Sequence, residues 1–581
     1  MSAVSPNGTG APVATFLTSL ETGRLDWDRL RPFPAQDPVE RELGDKLVAE
    51  VEGFFADRVD AEALDRTRTI PPALVGDLQE RGYLRLRISP ELGGLGLSAY
   101  NAFRVVAQAC AHSVPAGQIV AIQNGVGAAA MLPALPPGPL RDFVSRRIAE
   151  GMLSGFGDTD QSGQNNARPT LTATPVDGGY LLQGEKLFTG NGPIADLIAV
   201  SATVLDPGGP KVGACFLDTD TPGFSVGTRL EFMGSRGLPN GSLRFEQVFV
   251  PAEHVLVDPD GDQLPQLVGL IALIGRIYFT GGPAMAIAKH CLSWSAAFVA
   301  RRRIDGRELG EYDEIQRIVS ATLAEVYAMD SAVRWSLLES DLGDRWFERF
   351  AVKNILVRTA WRIVDRTVSL FGGEGFETVA SKVRRGAPPV PLERAFRDAR
   401  GLRIAGNVDF QLDNQLGRML LSAFHRSAAG PETGTDAGTA PDQGILPDLA
   451  DDDLSPANLG HLRAVAALIT EFHRVCGELV RKRPDLAELF ADERTTVLLG
   501  RIAGELFTAA AVLSRAAGPE QSPEPSRSPG QGQELADVYC TEARLRLTGL
   551  FGRLGADAGP DHAGISRAWL AGDDADRLTH H

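Results

Sequence analysis

The clearest chemical signal in the chain is a run of three guanidiniums, Arg301-Arg302-Arg303, in a charged stretch between two long apolar helical patterns. Three forked cations in one turn suit an anionic group such as a pyrophosphate; a solvated helix end, where basic residues complement the dipole, accounts for them equally well. A second grouping is acidic. Asp158 and Asp160 flank Thr159 in a loop running to Asn165, where a carboxylate can either accept a proton or cap a Gly- and Asn-rich turn. Other motifs fail on context. GFSVG at 223–227 matches a nucleophile elbow, but a Thr-Pro-Gly turn leads it into a strand and no helix follows. GGLG at 93–96 follows no clear strand and reads as a tight turn between helices, not a dinucleotide fingerprint. Asn7 and Asn240 open glycosylation-type triplets that are chance matches in a chain without a secretory signal. His254, His290, His461 and His473 stand alone, and the five cysteines include no CxxC. No metal site and no disulfide framework is expected.

The elements that must position these groups are bounded by composition. The chain has 581 residues, with 58 Lys plus Arg against 74 Asp plus Glu and a net charge of −16. That argues against a protein that coats nucleic acid or anionic lipid, since both need a basic face. A hydrophobic share of 43% is enough for substantial cores. The most apolar window, Leu267 to Ala288, is broken by Arg276 and several glycines, so a buried helix pair is expected rather than a membrane span. A reduced, cytoplasmic protein is the expectation.

The periodicity predicts α+β architecture, mainly α. Residues 1–40 are punctuated by Pro and Gly and read as an extension draped on the surface. Residues 41–151 form an N-terminal helical domain, with Leu43, Leu47, Val51 and Phe54 on one stripe and a long apolar helix from Ala99 to about Leu132. Residues 152–255 alternate short β-rich runs with Gly/Pro/Asn turns, which predicts a central antiparallel β domain. Residues 256–424 predict a four-helix-bundle domain. Residues 425–455 are a linker by composition, with an acidic patch from Asp448 to Asp453; 456–557 predict an additional helical domain and 558–581 a tail.

This order, with five strings in register, resembles the acyl-CoA dehydrogenase superfamily over roughly Glu40 to Leu421, and the segment beyond resembles the extra helical domain of its longer members. The strings are ERGYLRLRISPELGGLGLS, GGYLLQGEKLFTGNGPIADLIAV, MGSRGLPNGSLRFEQVFVP, RRRIDGRELG, and LFGGEGF followed by RAFRDAR. The resemblance implies FAD, an acyl thioester on CoA or a carrier protein, and α,β-dehydrogenation. In that chemistry a carboxylate takes the α-proton and the flavin takes the β-hydride. It also implies a homodimer or homotetramer in which one subunit's glycine turn meets its neighbour's FAD. Carried over by motif, the cofactor contacts are Thr159, Gly163, Phe188, Gly190, Arg302, Gly372 and Gly373. The two positions that hold the base in the family fall on Gly406 and on Gly275, the residue before Arg276. Glycine accepts no proton, so another acid is required; Asp409, Asp158, Asp160, Glu374 and Asp398 are the candidates. Glycine at both positions is expected to leave room for a bulky or branched acyl chain. The alternatives are a flavin monooxygenase on the same fold, a silent subunit whose partner supplies the base, and a flavin-free homologue.

Overall fold

The computed structural model describes residues 15–164, 166–338, 345–429, 453–518, 530–555 and 560–571. Asn165, most of the linker with Asp448 to Asp452, and His580-His581 lie outside the described residues.

The architecture is mainly helical around one central sheet. Among the described residues that sheet has eight strands: β1 Ser154–Gly157, β2 Thr172–Val176, β3 Gly179–Gly190, β4 Leu197–Asp206, β5 Gly209–Asp218, β6 Phe224–Arg229, β7 Asn240–Pro251 and β8 Val255–Val257; Arg303–Ile304 and Arg307–Glu308 pair separately in the arginine hinge. Their order is β6-β7-β3-β2-β4-β5-β8, with β1 also paired to β4. The turn clusters at Asp177-Gly178 and Pro207-Gly208 make the β2–β3 and β4–β5 hairpins, as turn chemistry dictates. The sheet is mixed rather than wholly antiparallel: β4 pairs parallel with both β1 and β2. Strand β4 is the reason. Its first eight residues are all buried, so it lies covered on both faces, the usual setting of parallel pairing.

In the N-terminal domain the helix Pro38–Arg58 starts at an Asp37 cap and buries Leu47, Val51 and Phe54; Leu43, predicted on that stripe, is exposed. The long helix expected from Ala99 is two helices, Ala99–His112 and Val114–Gly125, broken where Ser113 turns extended ahead of Pro115. The bundle contributes Gln266–Arg276, a π-helical turn at Ile277–Gly281, Gly282–Arg301, Asp313–Leu337, Trp346–Phe371 and Asp409–Ala429. The additional domain is built mainly from Pro456–Lys482, Glu493–Ala516 and Gln531–Leu554. The Gln266–Arg301 stretch and Glu493–Ala516 are apolar and long enough to cross a membrane, but both are mostly buried inside the protein.

The described part of the N-terminal extension, residues 15–40, is not draped on the surface. Phe16, Leu20, Trp27 and Leu30 are core residues, and Phe16 sits 5.8 Å from Phe507 and 6.2 Å from Phe347, ring to ring. Buried Glu348 accepts hydrogen bonds from Phe16 N and Thr15 Oγ1 at 2.6 and 2.9 Å. The segment therefore wedges between the bundle and the additional domain. Its apolar residues repay the ordering entropy that its prolines and glycines suggested it would keep.

Candidate active site

At the sheet rim, β3 breaks register with β7 between Lys186 and Thr189, and Phe188 takes a left-handed φ of 56°. The bulge turns the Phe188 ring outward, 56% exposed, beside Phe232 at 6.4 Å. Below it Lys186 is fully buried. Its ammonium donates to Asp158 O at 2.8 Å and Ser201 Oγ at 3.0 Å, and Leu187 N donates to Thr159 O at 2.7 Å. These bonds pin the acidic loop to the strand. Asp160 is almost fully buried and accepts from Ser162 N and Thr170 N at 3.1 and 2.6 Å, with Lys186 3.8 Å away. It is a turn cap. Asp158 is only partly buried; it accepts from Ser201 Oγ at 2.7 Å and Gln164 Nε2 at 2.6 Å. Gly163 has a φ of 85°, and a side chain there would meet nothing within 4 Å. Three buried polar atoms at this rim lack partners: Thr189 Oγ1, Asn191 Oδ1 and Asn240 Oδ1.

On the helical side, Gly406 has a φ of 65°. A Cβ there would stand 3.3 Å from Arg276 Cγ and 3.8 Å from Thr280 Cγ2. The two positions expected to hold a carboxylate thus come together around Arg276. Among the described residues the Arg276 side chain has no hydrogen bond or ion pair; its guanidinium lies 5.8 Å from the Phe350 ring. Burial works against its charge, and Asp158 is the acid whose field supports it. Next to the vacancy, Lys353 is fully buried and donates to Asn407 O at 2.8 Å. Burial, reinforced by Arg276, pushes its ammonium down to about 7. Where a proton-abstracting carboxylate was expected, the chain places two cations.

Gly275 is glycine for a packing reason. A Cβ there would fall 2.3 Å from Gly125 O and 2.5 Å from Val126 Cγ1. The helix Val114–Gly125 fills that space, so Gly275 leaves no room for a larger acyl chain. Asp409 is a poor proton acceptor. Arg358 and Arg403 hold it at 3.2 and 2.7 Å and, outweighing burial, keep its carboxyl below the usual range. Glu374 pairs with Arg301 and Arg385. Asp398 is buried and accepts from Ser235 N at 2.6 Å; burial pushes its carboxyl up to about 6. It sits on the helix Leu392–Leu402, facing the loop that leads into β7.

Three family descriptions match the chain in order: acyl-CoA dehydrogenase N-terminal domain at 42–134, middle domain at 155–248 and C-terminal domain at 275–418. The probable acyl-CoA dehydrogenase FadE10 of Mycobacterium tuberculosis is 30% identical over 573 residues, covering 93% of this chain and 86% of that relative. The chain belongs to the acyl-CoA dehydrogenase family. Benzylmalonyl-CoA dehydrogenase of Aromatoleum aromaticum is 26% identical over 60% of this chain and 89% of its own length. The crystal structure of an acyl-CoA dehydrogenase complexed with FAD from Bacillus anthracis superposes with a TM-score of 0.70 at 19% identity. It covers 93% of this chain and 92% of that one, so the likeness extends through the additional domain.

Within this acyl-CoA dehydrogenase-family chain the predicted contacts form two clusters. Thr159, Gly163, Phe188 and Gly190 share the sheet rim, where Gly190 abuts Ile122 of the N-terminal domain. Arg302, Gly372 and Gly373 share the far end of the bundle: Phe298 and Phe371 stack at 4.2 Å, and Arg302 lies over Phe298. Side chains at Gly372 and Gly373 would meet nothing within 4 Å, and Gly372 has a φ of 58°. Of the isolated histidines, His254 stacks on Phe143 at 4.1 Å, His290 on Trp294 at 5.0 Å and His473 packs on Phe424 at 5.3 Å, while His461 pairs with Asp537 at 2.8 Å. Sequence reasoning missed Lys353. Its signal was a lysine four residues after Arg349 on a helix face otherwise lined by Phe350, Leu356, Val357 and Ala360.

Proposed function

We propose that this protein is an FAD-dependent oxidoreductase acting on an acyl thioester, of CoA or a carrier protein, with a proton acceptor other than the family's glutamate. The supporting observation is that Gly406 faces Arg276 beside buried Lys353, and among the described residues no carboxylate pairs with either cation. The rim fits the flavin. Phe188 offers an exposed face, the Gly190 N–H a donor, and the unpartnered Asn191 and Asn240 oxygens accept from a group that carries N–H. When bound, FAD accepts the hydride that leaves the β-carbon. The chain's own work is to bind the thioester, exclude water and remove the α-proton.

Among the acids offered by the sequence, Asp158 is the one left for that proton. Asp160 is consumed as a turn cap and Asp409 by two arginines, while Asp158 is partly exposed on the loop whose field reaches Arg276. Ser201 and Gln164 orient its carboxylate. Arg276 adds a preference. A guanidinium without an acid partner favours an acyl chain that carries a second anionic group, and one relative is a dehydrogenase of benzylmalonyl-CoA, a thioester with a free carboxylate. The active form is a cytoplasmic homo-oligomer in which the cluster around Arg302 and Gly372 meets a neighbour's cofactor.

The test is a titration of the yellow purified protein with acyl-CoAs and a one-electron dye. Dye reduction that is faster with a dicarboxylyl-CoA than with the neutral acyl-CoA of equal length is the expected result. A colourless protein that takes up no added FAD overturns the reading. Oxygen consumption with reduced flavin, and no dye reduction, assigns the chain to monooxygenase chemistry instead. Activity that returns only with a co-purifying, glutamate-bearing partner makes it a silent subunit.

A further inference from the structure

A cavity of about 500 Å³ lies between two bundle helices, Trp346–Phe371 and Asp409–Ala429, and two helices of the additional domain, Glu493–Ala516 and Gln531–Leu554. None of the residues assigned above to flavin or thioester lines it. Its volume falls in the range of small-molecule sites, about 300–1,000 Å³. Two glycines keep it open. A Cβ at Gly504 would find its nearest neighbour, Ile355 Cγ1, at 4.0 Å, and one at Gly549 would meet nothing within 4 Å.

The walls carry a surplus of arginine. Six arginines line the cavity, Arg358, Arg362, Arg403, Arg501, Arg546 and Arg553, against two acids, Asp413 and Glu505. The acids just behind are shared. Asp409 serves Arg358 and Arg403; Asp413 serves Arg358 and, at 2.9 Å, Arg501; Glu325 serves Arg362 and Arg366 at 3.0 and 2.6 Å. Arg553 has no ion pair among the described residues. Seven guanidiniums thus meet four carboxylates, Asp409, Asp413, Glu325 and Glu505. Excess charge on half-buried walls is costly unless an anion balances it.

One buried acceptor also awaits a donor. Asn354 lines the cavity, is 6% exposed, and its Oδ1 has no partner. Its orientation is fixed, because Nδ2 donates to Asp409 O at 2.7 Å and Asp413 Oδ1 at 2.8 Å, two acceptors that an inverted amide would face with oxygen. Ile355, Leu412, Leu416 and Leu550 supply an apolar wall. The occupant that satisfies all three features has an apolar ring body, at least one N–H or O–H donor, and two or more negative charges.

We propose that this cavity is a second ligand site, distinct from the thioester site, that binds a nucleoside phosphate. Its phosphates engage the Arg501, Arg546 and Arg553 side, and its donor meets Asn354. The site bears on the catalytic region through one residue. Asp409 is held from the cavity by Arg358 and Arg403, and it begins the helix that follows Gly406 and Asn407. Ligand charge drawn to Arg358 loosens its hold on Asp409 and so on the loop that carries Gly406.

Two sources share this chemistry, a free nucleotide and the nucleotide end of CoA. Isothermal titration of the full-length, FAD-loaded protein with ADP, adenosine and free CoA tests both. The variants are Gly549→Leu, which fills the cavity, and Arg553→Gln, which removes an exposed cation without touching a buried pair. Expected are one ADP per chain, no heat with adenosine, at least tenfold weaker ADP binding in each variant, and affinity that falls with salt. If CoA binds with the same sensitivity to Gly549→Leu, and ADP does not, CoA is the natural source and the site stands. No binding by ADP or CoA, or binding that neither variant changes, overturns it.

Discussion

Lys353 allows a quantitative test of the electrostatics at the vacant base position. Its ammonium is fully buried, with its hydrogen bond to Asn407 O. Arg276 and Arg358 repel it, while Asp409 and Asp413 support it. Burial leads, so the folded-state pKa drops from 10.5 to about 7. For a lysine whose folded pKa is depressed, the unfolded chain binds more protons between the two values, so stability is lost as pH falls from 10.5 towards 7. At about 1.4 kcal/mol per pH unit, this one group removes about 2 kcal/mol between pH 9 and pH 7. Lys353→Met keeps the length of the side chain and cannot titrate. It loses the bond to Asn407 O, a cost of about 1–3 kcal/mol that does not depend on pH. The difference in unfolding free energy between variant and wild type should therefore shift by about 2 kcal/mol in the variant's favour on going from pH 9 to pH 7. Urea denaturation at pH 7, 8 and 9, followed by tryptophan fluorescence, measures it. A difference that stays flat across that range would show that Lys353 keeps an ordinary pKa, and the account of a cationic, partner-poor pocket would fall with it.

Asp398 gives the opposite sign. Its folded pKa is raised from 3.8 to about 6, so its contribution is fully present below 3.8 and is lost as pH rises through about 6. Asp398→Asn retains an acceptor for Ser235 N and should gain about 2 kcal/mol over wild type between pH 4 and pH 7, read by denaturation midpoints. Gly275→Ala forces a Cβ to within 2.3 Å of Gly125 O, an overpacking cost of about 1–3 kcal/mol that lowers the thermal midpoint; an unchanged midpoint would mean the two helices are farther apart than described. Asp158→Asn should cut the rate of dye reduction by at least a hundredfold and leave thioester binding within a few-fold, the pattern of a lost proton acceptor. Equal losses in both would make Asp158 a structural part of the loop.

The sequence carried the domain order because each domain has its own period: 3.6 in the helical parts, 2 with turn punctuation in the sheet. The resemblance also singled out Phe188, and the structure places it at a register break near the end of β3. What the sequence could not carry were contacts between distant glycines. Nothing local marks Gly125 and Gly275 as partners, so a packing glycine looked like room for substrate. The N-terminal segment departs from expectation for a different reason. Its prolines and glycines dominate the composition, yet Phe16, Leu17 and Leu20 already formed one helical face. Asp409 was offered as a base because its distance along the chain from Gly406 is short; its two arginine partners lie on other turns and other helices.

The additional domain bears on the site through tight backbone packing. Its helix Glu493–Ala516 crosses Asp409–Ala429 with almost no gap: a Cβ at Gly417 would fall 2.0 Å from Thr496 O, and one at Gly500 2.2 Å from Asp413 O. Backbones at that distance cannot slide independently, since interiors packed to crystal density transmit displacement rather than absorb it. Asp413, one turn from Asp409, is gripped by Arg501 from the additional domain and by Arg358 from the bundle. Any shift of the additional domain relative to the bundle must therefore move the start of the Asp409 helix, and with it the loop of Gly406 and Asn407 that Lys353 holds from the opposite side. A domain that only stabilised the core would need apolar contacts alone. Here Arg501 of the additional domain shares Asp413 with Arg358 of the bundle, and Arg358 also holds Asp409, so the charge network couples the additional domain to the start of the helix that follows Gly406.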